Sequence, residues 1–316
     1  MAFELKRLTK NCNTIDDFVS LSFDFSFGGQ TIKPHQNKME VSILLHFLKS
    51  IDPCTVLEIG TSEGGTLFLL SQILSKNAKI ISVDLPKGAG GGELYPDWKK
   101  SLYKSFISEN QQIFLLRENS HALTTFEKIQ NIIQTQKIDF LFIDGDHSYE
   151  GVKKDFELYF PLVAENGIIA FHDINEVLWN KIGVQRFWKK IKSKYPTFEI
   201  IDKSKNDGLG IGLLIKSKNI PGQNYIELLK RILMMKDKKL QKLNNNPISA
   251  ILSIYYDRKD LQEVFPEVEK NDYNRIIKWA LNICDSNDPK KMEIKYRLIK
   301  HHAWYKIFLQ LYQNKN

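Results

Sequence analysis

From Thr55 to Lys216, short apolar runs alternate with stretches in which apolar residues recur at helical spacing. The runs suit strands, and the amphipathic stretches suit helices packed on both faces of a parallel sheet. The pattern predicts strands at Val56–Ile59, Lys79–Val83, Gln112–Leu116, Ile138–Ile143, Gly167–Phe171, Phe198–Ile201 and Leu209–Ile215. Between the last two lies only the segment Asp202 to Gly208. That is too short for a crossover helix, and its Asp207-Gly208 pair is a hairpin signal, so the final strand should run antiparallel. The expected fold class is therefore α/β, a Rossmann-like seven-stranded sheet with its last strand antiparallel. Ahead of the sheet, Leu21 to Gln36 carries Phe23, Phe25, Phe27, Gly28, Gly29 and Pro34, which suits an irregular lid, and Asn37 to Ser50 has helical spacing. After Lys216 the chain changes character. Pro221-Gly222 reads as a boundary, Tyr225 to Leu243 as a basic amphipathic helix, and more helical stretches follow. The expected division is a lid segment at 1–35, a catalytic domain at 36–217 and a C-terminal helical extension at 218–316.

Composition narrows the class. The chain has 316 residues, 42% hydrophobic and 26% charged, values ordinary for a compact globular protein. A net charge of +8 would permit contact with nucleic acid or an anionic surface. Lys and Arg are nevertheless spread without a long basic tract, and no nucleic-acid partner is expected. Cys12, Cys54 and Cys284 are far apart and form no C-x-x-C pair, so neither a disulfide framework nor a zinc site is indicated. No segment approaches 18 uninterrupted apolar residues, and the first residues lack a signal-like apolar stretch. A cytoplasmic protein with no transmembrane segment is expected.

The chemistry concentrates at the carboxyl ends of the expected strands, where open α/β sheets bind ligands. Val56-Leu57-Glu58-Ile59-Gly60-Thr61-Ser62-Glu63-Gly64-Gly65-Thr66 runs from a strand through a glycine turn into a helix. Its Glu-x-Gly-x-x-x-Gly spacing is not the Gly-x-Gly-x-x-Gly of a dinucleotide site. Glu58 can accept hydrogen bonds from a cationic ligand group or merely cap the next helix. Asp84 ends the second strand, where a carboxylate can take both ribose hydroxyls or simply close a turn. After the third strand, Asn119 and Ser120 are either ligand contacts or, for Ser120, a helix cap. Asp144-Gly145-Asp146-His147-Ser148-Tyr149 follows the fourth strand, and Phe171-His172-Asp173 ends the fifth. Adjacent strands lie about 5 Å apart, so Asp144 and Asp173 could face one small site and share a cation, or each serve only its own turn. Lys87 to Glu93 is glycine-rich but opens no helix, which favours a flap over a phosphate cradle.

Three motifs, LEIGTSEGGT, FIDGDHSYEGV and IIAFHDI, together resemble the class I S-adenosylmethionine-dependent O-methyltransferases grouped with cephalosporin-hydroxylase-like and macrolide-sugar enzymes. The catechol-type enzymes are more distant. The resemblance covers about Gln36 to Lys216. It implies a methyltransferase sheet that binds S-adenosyl-L-methionine through Glu58, Gly60, Thr61, Ser62, Gly64, Asp84, Asn119, Ser120 and Asp144. It also implies Mg2+ or another divalent metal at Asp144, His172 and Asp173, with Asp144 and His147 as catalytic residues. His147 stands where catechol-type enzymes place their general-base lysine, and its alternative role is a structural hydrogen-bond donor. His172 departs from the family, which has a carboxylate there, and imidazole suits a transition metal better than magnesium. Ser253 to Val268 resembles a small helical module attached to polysaccharide glycosyltransferases, and a docking or dimerisation arm is the plainer reading. The expected activity is O-methylation of a hydroxyl on a sugar, glycan or glycosylated metabolite, with a homo-oligomer or glycan-assembly partner reached through the C-terminal helices. A non-catalytic binding module in a glycan-assembly complex and an NAD-type oxidoreductase are the rivals.

Overall fold

The structure, a computed structural model, describes residues 1–86, 95–108, 110–175, 183–202 and 209–217. The expected flap at Lys87 to Glu93, the Asp207-Gly208 turn and the helical extension at 218–316 lie outside the described residues.

Two helices open the chain, α1 (Ala2–Thr9) and α2 (Ile15–Asp24). Thr14 and Asp17 close the start of α2 with a reciprocal capping box, an arrangement of the kind that stabilises a helix by about 1 kcal/mol. The segment expected to be an irregular lid is partly regular: α2 runs to Asp24, and a small hairpin of β1 (Ser26–Phe27) and β2 (Gln30–Thr31) turns through Gly28 and Gly29, both at positive φ. Helix α3 (Lys38–Ile51) starts at Asn37, whose side chain accepts from the Met39 amide at 2.9 Å, and stops at Asp52 in a left-handed conformation.

The sheet follows: β3 (Thr55–Ile59), β4 (Lys79–Asp84), β5 (Gln112–Arg117), β6 (Ile138–Ile143), β7 (Val163–His172), β8 (Thr197–Ile200) and β9 (Ile211–Ile215). Their spatial order is β5-β4-β3-β6-β7-β9-β8, and β9 alone runs antiparallel, paired to β7 on one side and β8 on the other. The expectation from the missing crossover is met, with one addition: the last strand inserts into the sheet and leaves β8 at the edge. Every residue of β3 is buried, as expected for a strand covered on both faces. Helices α4 (Gly65–Ile73), α5 (Lys99–Lys104), α6 (Leu123–Ile133), α7 (Tyr149–Tyr159) and α8 (Gly183–Ile191) supply the covers. One core cluster packs Leu57, Ile81, Leu141 and Phe171 under Phe156, Phe187 and Trp188 of α7 and α8. The Phe171 ring lies 5.6 Å from Trp188 and 5.9 Å from Phe187. The start of α3 is tied to the last hairpin. The buried carboxylate of Glu40 accepts from the amides of Asp202 at 2.8 Å and Gly210 at 3.0 Å.

Candidate active site

Two polar clusters sit at the carboxyl edge of the sheet, joined at one glycine. Gly60 has a φ of +98°, and a Cβ placed there would lie 2.0 Å from the Asp144 carbonyl oxygen. Only glycine allows β3 and β6 to leave the sheet this close together. The Asp144 amide donates to Ile59 at 2.8 Å, and the Gly60 amide donates to Val83 at 2.9 Å. The turn then continues through Ser62, at a φ of +48°, to Gly64, which has Tyr103 against it and opens α4.

The first cluster belongs to β3, β4 and this turn. Glu58 is fully buried and accepts from the Ser82 hydroxyl at 2.6 Å, and Ser82 in turn pairs with Thr61 at 2.5 Å. Burial pushes the Glu58 carboxyl up to about 8, because a charge enclosed without a counter-charge is penalised. The Ser62 amide donates to Asp84 at 2.8 Å. Burial also raises the Asp84 acid, against the pull of the Ser62 hydrogen bond and the Arg117 charge. Asn119 is exposed, and its side chain accepts from the His121 amide at 2.9 Å, a local turn. Ser120 offers its carbonyl to the Tyr159 hydroxyl at 2.7 Å. It does not cap the next helix. Ala122 takes that position without a side-chain cap.

The second cluster belongs to β6 and β7. Asp144 Oδ1 lies 3.0 Å from His172 Nδ1 and 3.3 Å from His147 Nε2. Asp173 Oδ2 lies 3.0 Å from His147 Nδ1, and its Oδ1 lies 3.1 Å from His172 Nδ1. Two carboxylates and two imidazoles thus interlock, with Asp173 held at a φ of +60°. Burial by itself would raise Asp144, but His172 and His147 hold its carboxyl well below the usual range. His172 is raised by Asp144 and Asp173 although burial works the other way. His147 is pushed up to about 10 by its hydrogen bonds to Asp144 and Asp173. The arrangement bears on two expectations. His147 has both nitrogens against carboxylates, and their charges favour its protonated form, whereas a general base must be unprotonated. Among candidate metal ligands, Asp144, His147 and Asp173 bring their ligand atoms within 4.8 Å of one another, while His172, 3% exposed, packs its Nδ1 behind the two carboxylates. Asp146 turns away to accept from the Ser148 amide at 2.8 Å, and the Ser148 hydroxyl caps α7.

One residue at the site was absent from the sequence reading. The Gln36 amide donates to Asp144 Oδ2 at 2.6 Å, and its carbonyl accepts from the Thr66 hydroxyl at 2.8 Å. It ties the Asp144–His147–Asp173 cluster to the helix that follows the glycine turn. No local pattern marks it, because its partners lie 108 and 30 residues away.

Comparison with known proteins finds a family match that spans both clusters. Residues 57–174 match a family described as a methyltransferase domain. An uncharacterized protein of Acanthamoeba polyphaga mimivirus is 35% identical over 129 residues, which cover 41% of this chain and 55% of that protein. An uncharacterized protein of Sinorhizobium fredii is 27% identical over 180 residues, 56% of this chain and 18% of that one. The chain therefore spans about half the length of the first relative and less of the second. An O-methyltransferase from Bacillus cereus, solved in complex with SAH, is 18% identical, with a TM-score of 0.44 over 67% of this chain and 90% of that one. The matched stretch contains Glu58, Asp84, Asp144 and Asp173, the acids of both clusters.

Proposed function

We propose that this protein transfers the methyl group of S-adenosyl-L-methionine to a hydroxyl oxygen of a sugar-bearing or otherwise polar acceptor. The observation that carries the reading is the junction at Gly60. It sets a glycine turn flanked by the buried Glu58 and the half-buried Asp84 directly beside a second set of acids and imidazoles, so that a donor on one and an acceptor on the other would meet. Glu58 and the turn amides would take the donor's amino-acid portion, with its ammonium restoring the charge that burial suppresses. Asp84 would accept from the ribose hydroxyls. The reaction joins the acceptor oxygen to the methyl carbon, breaks the carbon–sulfur bond, and releases the hydroxyl proton and the neutral thioether. Alignment supplies most of the acceleration in such a displacement.

The donor set of the second cluster fits a divalent ion: two carboxylates and one imidazole converge, and a second imidazole supports them. Asp144, His147 and Asp173 would hold it, and it would lower the pKa of an acceptor hydroxyl. Gln36 orients Asp144 through its 2.6 Å hydrogen bond. Without an ion, His147 would instead be the base, able to take a proton once Asp144 and Asp173 are engaged elsewhere, since their charges are what raise it. The missing Gly-x-Gly-x-x-Gly disfavours the oxidoreductase reading.

Calorimetric titration with S-adenosyl-L-methionine and with NAD tests the first part. Binding of the former alone supports it, and binding of NAD alone, or of neither, overturns it. Chelation tests the second. Exhaustive chelation should remove most turnover with a responsive acceptor, and Asp144→Asn or Asp173→Asn should lose both turnover and the response to added divalent ion. Full activity after chelation would return the aspartates to a structural or acid–base role.

A further inference from the structure

Several buried polar atoms on the donor side remain after the bonds of the glycine turn are assigned. Tyr95 Oη and Arg117 Nε and Nη1 are enclosed and have no hydrogen-bond partner among the described residues. Folded proteins rarely leave buried donors in that state, because each costs its lost hydration. Their position is specific. Arg117 ends β5, Asp84 ends β4, and the two are register partners across the sheet edge. The guanidinium is close enough to draw down the Asp84 acid, yet neither unpartnered nitrogen hydrogen-bonds to it. Its direction is fixed from behind. The guanidinium carbon lies 4.0 Å from the Tyr95 ring centroid, Tyr95 packs on Tyr103 at 4.6 Å, and the Tyr103 hydroxyl donates to the Ser62 carbonyl at 3.0 Å. An aromatic bracket therefore runs from the glycine turn to Arg117 and holds its fork in register with Asp84.

The geometry points to Arg117 as a binding residue for the ribose of the methyl donor, donating to the sugar oxygens while Asp84 accepts from the same diol. Tyr95 is its positioning residue. A neutral diol suits the pair because each hydroxyl can donate to a carboxylate and accept from a guanidinium at once. A phosphate on the sugar would meet the Asp84 charge, and a purely apolar group would leave both side chains unanswered. The inference rests on the reading of Asp84 as the ribose acceptor.

The test uses the full chain, with S-adenosylhomocysteine and its 2′-deoxy and 3′-deoxy analogues as calorimetric probes. Arg117→Met keeps the aliphatic stem on Tyr95 and removes the donors. It should weaken S-adenosylhomocysteine by about ten- to a hundredfold, and the loss should shrink to about threefold or less for the analogue lacking the hydroxyl that Arg117 meets. Arg117→Lys should show the same coupling in smaller degree, and it carries the test if the methionine variant fails to fold by urea denaturation. An equal loss for all three probes, or no loss, overturns the assignment while leaving the proposed function standing. Failure of the parent protein to bind S-adenosylhomocysteine overturns both.

Discussion

Glu58 and Asp84 stand at the ends of β3 and β4, and Asp144 and Asp173 stand at the ends of β6 and β7, along one edge of one sheet. The first pair is raised by burial, Glu58 up to about 8, while Asp144 is held low. Depth does not separate Glu58 from Asp144, since burial opposes the charge of both. The companions do. Glu58 meets a serine hydroxyl, whereas Asp144 meets two imidazoles at 3.0 and 3.3 Å. An enclosed acid without a counter-charge drifts toward its neutral form, and one beside cations stays ionised. The half of the site at β3 and β4 would therefore charge most readily beside a cationic ligand, as the proposed methyl donor would supply. The other half is charged in advance and holds its own countercations. A sulfonium donor with an ammonium group suits the first condition, and a divalent ion that replaces imidazolium protons suits the second.

The sharpest way to break this contrast is at His147, which joins both carboxylates of the charged half. His147→Ala should lower turnover by about 10²–10⁴-fold with donor affinity nearly unchanged, read by steady-state rates against calorimetry. Parental turnover in that variant would leave His147 a purely structural bridge.

The seam between the halves is the next target. Gly60→Ala puts a methyl group against the Asp144 carbonyl at a positive φ, and should cost about 3 kcal/mol or more, measured by urea denaturation. An unchanged midpoint would mean that β3 and β6 are less tightly joined than the 2.0 Å approach requires.

The smallest effects come from the donor half. Glu58→Ala and Asp84→Ala should each weaken S-adenosyl-L-methionine by about 1.5–3 kcal/mol while the fold survives, and parental affinity in both would misplace the pocket. Glu58 also predicts a pH signature. Its folded pKa is raised from 4.5 to about 8, so its contribution to stability is complete below 4.5 and is lost as pH rises through about 8. The parent should therefore lose stability over that window relative to Glu58→Gln, which has no proton to release there. Parallel denaturation midpoints for the two proteins across the window would remove Glu58 from the contrast.

Much of the frame is legible in the sequence because strands buried on both faces must be apolar throughout. Ile138–Ile143 emerges with the bounds the pattern predicts, and the 202–208 gap gives the direction of β9. Where β9 goes is less visible, since insertion between β7 and β8 depends on pairing and not on local spacing. Asp144, His147, His172 and Asp173 can be picked out as polar residues beside buried strands. Their pairing cannot, because the contacts of His147 with both carboxylates, at 3.0 and 3.3 Å, follow from the fold and no motif encodes them. Gln36 and the Tyr95 bracket escape for the same reason: each works through partners far along the chain.

The clamp of Glu40 on Asp202 and Gly210 has a consequence for synthesis. A ribosome delivers Glu40 early, but the amides it holds emerge only 162 and 170 residues later. Until then those two donors are absent, and one edge of β7, a ten-residue strand, is bare. An exposed strand edge of that length invites pairing with other chains. The growing polypeptide thus carries that bare edge from the emergence of His172 until that of Ile211. It can latch only when β9 slides between β7 and β8, so slowing elongation near residue 210 should lengthen that exposure.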